Sequence, residues 1–176
     1  MNDESMSTQN GERAESGGKT LVFALGSAHG DDQMGWRVAE RLTEILADDR
    51  VLIRAASSPD RLLDCLDGVA RLIVCDACQN ISARGDVHVW RWPDAPLRML
   101  HGSSSHDLDL ATVLALAEQL HRLPDNVMIV GVEGDDDRHG QPFLAVFEEA
   151  VSRAAETIVA LIHADGQKPE TPSSNV

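Results

Sequence analysis

The sequence predicts an α/β fold, a three-layer α/β/α sandwich on a mostly parallel five-stranded sheet. Three observations lead there: continuous apolar runs of strand length, segments of helical period between them, and a length of 176 residues, enough for about one domain with one core. Continuous runs suit strands buried on both faces, which a parallel sheet covered by helices provides.

The elements follow in order. Thr20 to Leu25 is such a run, closed by Gly26, and reads as the first strand. Trp36, Val38, Ala39, Leu42, Ile45 and Leu46 then recur at three-to-four spacing, the mark of an amphipathic helix. Val51 to Ala55 is the second strand. Ser58-Pro59-Asp60 starts a short helix, with serine as cap and proline in the first turn, that ends near Gly68. Arg71 to Cys75 is the third strand, closed by Asp76, and Val87 to Trp92 alternates as a fourth with one wetter face. His106 opens a helical stretch marked by Leu108, Leu110, Val113, Leu114, Leu116, Ala117 and Leu120, with Ser103, Ser104 and Ser105 available as caps. Val127 to Val132 is the fifth strand, and Phe143 to Ile162 a long closing helix. No internal repeat interrupts this alternation.

The folded unit predicted is residues 19–164. Residues 1–18 are polar and rich in Ser, Glu, Asn and Gly, and residues 165–176 carry Gly, Lys, two prolines and Ser-Ser-Asn. Neither segment buries enough apolar surface to offset its ordering entropy, so both read as disordered tails.

Composition narrows the partners. Fifteen Lys plus Arg stand against 29 Asp plus Glu, a formal net charge of −14, which argues against a nucleic acid ligand. No run approaches the ~20 apolar residues of a membrane span, and the N-terminus lacks a basic, then apolar, leader. Three cysteines, Cys65, Cys75 and Cys78, offer no disulfide framework, as in a reducing compartment. A cytoplasmic location is expected.

Three residues stand where strands hand over to loops: Asp32 in Gly30-Asp31-Asp32-Gln33, Asp76 after the third strand, and His106. In open α/β sheets ligands bind beyond the carboxyl ends of the strands, where strand order reverses. With an order that begins 2-1-3, the loop of Asp32 and the end of the strand holding Asp76 face one crevice. Two carboxylates in one crevice repel unless a cation or donor satisfies them. Two oxygen donors and an imidazole could hold a divalent cation with positions left open.

The same stretches carry a resemblance. Leu25-Gly26-Ser27, then Gly30-Asp31-Asp32-Gln33-Met34-Gly35-Trp36-Arg37-Val38, resembles the opening motif of the hydrogenase maturation proteases, as do Leu72-Ile73-Val74-Cys75-Asp76-Ala77, Ser105-His106 before Leu114-Ala115-Leu116-Ala117, and Gly131-Val132-Glu133. Each motif alone is weak; four in order over nearly the whole folded unit are specific. The resemblance implies an endopeptidase that trims the C-terminal extension from the large-subunit precursor of nickel-iron hydrogenase. It implies that Asp32, Asp76 and His106 bind a divalent metal, with nickel already installed in the precursor serving to dock the enzyme. Acting on that precursor requires no more than a monomer. The rival from another class is a non-proteolytic factor that senses nickel or escorts the precursor. The chain departs from the family pattern at Ser27, where the family usually has Asn, at Gln33, in a slightly shorter loop before the acidic pair, and at Gly134, where Pro often follows the glutamate. These departures touch substrate recognition more than the three ligand candidates.

Plainer roles exist for each residue. Asp31 or Asp32 would cap the helix near Met34, Asp76 would stabilise a turn, and His106 would sit exposed at a helix start. His29 and His101 read as loop histidines. Cys75 and Cys78 have the spacing of a zinc or redox pair but lack a second pair, so Cys75 reads as strand packing and Cys78 as a free loop thiol. Asp135-Asp136-Asp137 lacks calcium-loop spacing, and Trp90 with Trp92 share one strand face as core or edge packing. Ser103-Ser104-Ser105-His106 has no nucleophile elbow, and no phosphate loop or Gly-x-Gly-x-x-Gly is present, so nucleotide cofactors are unsupported.

Overall fold

Five strands and three α-helices alternate along the chain in a computed structural model that describes residues 18–28, 33–95, 109–134 and 144–164. Strand β1 is Lys19–Leu25, followed by helix α1 at Met34–Ile45 and strand β2 at Val51–Ala56. A 3-10 helix at Pro59–Cys65 leads to β3 at Val69–Cys78 and β4 at Val87–Arg91. Helix α2, Leu110–Gln119, strand β5, Asn126–Glu133, and helix α3, Leu144–Ala164, complete the order. The expected disordered tails fall outside the described residues, apart from Gly18.

The sheet order is β2-β1-β3-β5-β4, with β4 antiparallel to β5 and every other pairing parallel. It begins 2-1-3, so strand order reverses between β1 and β3, where the crevice was expected. Strand alternation divides the apolar residues between two cores. Leu21, Phe23, Leu72, Val74 and Ile129 face Leu110, Val113 and Leu114 of α2 and Leu62 of the 3-10 segment. Val22, Ala24, Ile73, Cys75 and Val130 face Val38 and Leu42 of α1 and Ala154 and Ile158 of α3. The inner strands are dry on both sides, which is why their runs in the sequence are continuous rather than alternating.

Where the chain leaves β1 and enters α1, a glycine governs the packing. A Cβ on Gly35 would lie 1.7 Å from the carbonyl oxygen of Leu25, so only glycine lets the first turn of the helix approach the end of the strand this closely. The indole Nε1 of Trp36 donates to the carbonyl of Ala56 at 3.0 Å and fastens the same turn to the end of β2.

Several expectations need correction. The third strand does not close at Cys75 with Asp76 as its terminus; it runs to Cys78, because β5 pairs with Asp76, Ala77 and Cys78 through Gly131, Val132 and Glu133. The segment after Ser58 forms a 3-10 helix ending at Cys65 rather than a helix reaching Gly68, and Ser58 makes no side-chain cap bond there. Helix α2 opens at Leu110, and its cap is Asp109, whose carboxylate accepts from the Thr112 N–H at 2.6 Å; His106 and the serines before it, expected to open and cap the helix, lie outside the described residues.

Candidate active site

Asp76 occupies a central position. Its strand β3 lies in the middle of the sheet, flanked by β1 and β5, and Ala24 pairs with Cys75, so β1 gives way to its loop on the level of Asp76. The carboxylate is half-buried on the face that α2 covers, and its Oδ1 accepts from the N–H of Ala77 at 2.9 Å. That bond ties the side chain to its own backbone and limits its rotation.

Asp32 and His106, the other two predicted ligands, lie outside the described residues, as do Asp31, His29, His101 and Asp135-Asp136-Asp137. The residues flanking them are described. The loop that contains Asp32 leaves Ala28 and returns at Gln33, whose Nε2 donates to the Ala28 carbonyl at 3.3 Å, drawing the two loop ends together. Gln33 is the cap position of α1 and makes no side-chain cap bond. His106 precedes the α2 cap Asp109 by three positions. Among the described residues no group of three His, Cys, Asp or Glu side chains is placed to hold a metal ion.

A further carboxylate, which sequence reasoning placed only within a motif and gave no role, is buried nearby. Glu133, at the end of β5, is only 2 % exposed. Its oxygens accept from the N–H of Ile81 at 3.3 Å and of Ser82 at 3.4 Å, and Cys78 Sγ lies 3.6 Å away. Backbone bonds from Gly85 N to Glu133 O and from Glu133 N to Asp86 O, each 2.8 Å, close the same turn. Glu133 therefore pins the β3–β4 connection against the carboxyl end of the sheet, and a charged residue ending an apolar strand was the signal in the sequence. The turn also carries Ser82, whose Oγ is 2.7 Å from His88 Nε2; His88 in turn stacks on Trp90 with ring centroids 5.3 Å apart. Across the strands, Asp76 pairs with Gly131 and Gly131 with His88, so these three share one row and one face. A Cβ on Gly131 would meet the Trp90 ring at 2.6 Å, so the absence of a side chain there admits the indole between Asp76 and His88.

Cys78 is buried in β3, not free in a loop, and Cys75 is buried as expected. Burial, and then the Glu133 charge, pushes the Cys78 thiol up to about 12; burial, and then the Asp76 charge, pushes Cys75 up as well. A nucleophilic or metal-binding thiolate at either position is disfavoured. In the unfolded chain both thiols ionise near pH 8.5 to 9. Above that the unfolded state holds fewer protons than the native state, so stability falls as pH rises from about 9 towards 12. Urea unfolding midpoints are expected to stay level from pH 7 to 8 and to drop above 9, and Cys78→Ala to reduce the drop. In a companion measurement at pH 8, iodoacetamide should modify Cys65 and spare Cys75 and Cys78 until the protein is unfolded.

A mostly parallel sheet between helical layers, with an aspartate two residues before the carboxyl end of its central strand, defines a doubly wound α/β domain. The family model for hydrogenase maturation proteases of the HycI type matches residues 36–163, and the chain belongs to that family. It is therefore a peptidase of the hydrogenase-maturation class. A comparison with curated protein sequences gives no match. Among solved structures the fold is shared with the hydrogenase maturating endopeptidase HybD of Escherichia coli, at 24 % identity and TM-score 0.68 over 84 % of this chain and 94 % of that one. It is shared with a second Escherichia coli endopeptidase, at 24 % identity and TM-score 0.72 over 85 % and 95 %. The nickel-iron hydrogenase maturation protease HycI of Thermococcus kodakarensis matches at 21 % identity and TM-score 0.59 over 82 % and 92 %.

Proposed function

We propose that this peptidase removes the C-terminal extension of a nickel-loaded hydrogenase large-subunit precursor, and that Asp32, Asp76 and His106 contact the metal. The observation that carries the reading is the place of Asp76. It is a half-buried carboxylate two residues before the carboxyl end of the central strand, level with the exit of β1 into the loop of Asp32, in a chain of this family. Two carboxylates and an imidazole are a donor set that suits a divalent ion of the nickel or zinc kind. Asp76 fits such a role because the Ala77 N–H holds one of its oxygens and so orients the carboxylate.

Nickel belongs to the substrate in this proposal and is carried in by the precursor. A divalent cation so placed supplies Lewis acidity towards a scissile carbonyl or a more acidic bound water. The chain's part is to orient: β3 and the Ala77 N–H fix Asp76, and Glu133 holds the neighbouring turn. No helix among the described residues is long and apolar enough to cross a membrane. Cytoplasmic action as a monomer, with thiols kept reduced, is part of the proposal.

Mass spectrometry of the precursor after incubation with the protein tests it. The nickel-loaded precursor should lose the mass of its tail, and the nickel-free form should stay intact. Cleavage of both at equal rates would contradict recognition through the metal. An intact loaded precursor would contradict the peptidase assignment for this substrate.

A further inference from the structure

The two edges of the sheet differ. On β2 the residues facing away from β1 are Val51, Ile53 and Ala55, since the carbonyls of Arg50 and Ala56 accept from β1 or the residue after it. The outward carbonyl of Ile53 is already taken by Arg54 Nη1 at 3.0 Å, so an arginine guards that edge. On β4 the bonds Trp92 N to Val127 O and Glu133 N to Asp86 O show that even-numbered residues face β5. Val87, Val89 and Arg91 therefore turn their backbone N–H and C=O groups outwards, and Val89 is 39 % exposed. The Arg91 carbonyl is taken by the Asp94 N–H at 2.8 Å, while the outward groups of Val87 and Val89 and the Arg91 N–H meet no backbone partner among the described residues. Beside this edge, between β4 and α3, runs an open cleft of about 630 Å³ lined by Val87, His88, Arg153, Glu156 and Thr157.

We infer that the free edge of β4 binds an extended segment of the precursor's C-terminal tail as a sixth, added strand. The inference rests on the peptidase reading above and names how the same site receives its substrate. An extended peptide is the occupant because the chain is a peptidase and its substrate is a polypeptide, and an unpaired strand edge offers the backbone bonds that such a segment lacks. The position suits it. His88 of β4 shares a row with Asp76, two strand spacings away. A strand added outside β4 runs about 14 Å from Asp76, a gap that about four extended residues span. The tail is thus held a short way from the bond to be cut. Side chains on one face of the added strand enter the cleft against α3, where Arg153 and Glu156 present charges of both signs.

The test uses the full chain and the nickel-loaded precursor. Val89→Pro deletes an outward N–H without touching the β5 ladder, which an edge strand tolerates. KM for the precursor should rise about tenfold with kcat unchanged, the loss that goes with a backbone hydrogen bond and its register. Independently of that variant, hydrogen exchange is read with the precursor bound to the Asp76→Asn protein. The Val87, Val89 and Arg91 amides should slow about tenfold or more, while Val51, Ile53 and Ala55 on the guarded edge do not change. Unchanged exchange at all three β4 amides with precursor bound overturns the inference, as does slowing at both edges alike. Protection of the β4 amides without precursor that grows with protein concentration would assign the edge to a second copy and also overturn it. If the wild-type protein leaves the loaded precursor uncut, the peptidase reading fails; if the wild type cuts and the β4 amides stay fast, only the docking fails.

Discussion

Asp76→Asn is expected to lower kcat/KM for precursor cleavage by about 100-fold or more while the melting temperature moves by no more than about 3 °C. Asparagine keeps the shape of the side chain and an oxygen that can accept from the Ala77 N–H, so the local bond at 2.9 Å survives. What it removes is the negative charge and a good ligand oxygen. The carboxylate is half-buried, where a cation interaction is screened less than at the surface. The measurement is single-turnover cleavage by the variant beside the wild type, paired with thermal unfolding. Wild-type cleavage by a folded Asp76→Asn protein would remove Asp76 from the site. Large loss of both activity and stability would make its role structural instead.

Gly35→Ala is expected to be the most destabilising single methyl in the described chain. The added Cβ would sit 1.7 Å from the carbonyl oxygen of Leu25 and 2.7 Å from its carbon, both backbone atoms of a buried strand. A flexible side chain can swing aside; a strand locked between β2 and β3 cannot. Relief must come from moving α1, which packs Met34, Val38 and Leu42 on the same core. Overpacking of this kind costs about 3 kcal/mol or more, which for a chain of this length lowers the melting temperature by about 10 °C. Because α1 follows directly on the loop of Asp32, cleavage should fall further than the unfolded fraction explains. Thermal unfolding of Gly35→Ala within about 2 °C of wild type would show that the helix gives way more easily than the contact implies.

The order and kind of the elements were legible because each is a local matter. The run Leu21 to Leu25 and the three-to-four recurrence from Trp36 to Leu42 state their period without help from the rest of the chain. The errors came where distant parts decide. Asp76 looks like the end of a strand, since a charge after four apolar residues ordinarily meets water; here β5 continues alongside it, with Gly131 as its neighbour. Cys78 looks like a loop thiol until the turn at Ile81 and Ser82 folds over it and Glu133. Nothing within that turn's own sequence marks the buried carboxylate as its anchor, because the partner lies some fifty positions away. Ser103 to Ser105 offered plausible caps for α2, yet Asp109 stands next to the helix and makes the bond. Of the candidate site, the place of Asp76 among the last residues of the third strand, on the side of the sheet where such folds bind ligands, was legible from topology, while Asp32 and His106 lie outside the described residues.

The strand order carries a further consequence for synthesis on the ribosome. Strand β4 emerges directly after β3, but the two never pair; its partner β5 is made only after α2. Until then the nascent chain holds β3 with one long side open and β4 with no ladder at all. The sheet is completed by inserting β5 between two strands that already exist, so a pause or truncation before Asn126 leaves an apolar edge exposed to neighbouring chains. For this protein the vulnerable moment is the interval between the fourth strand and the fifth.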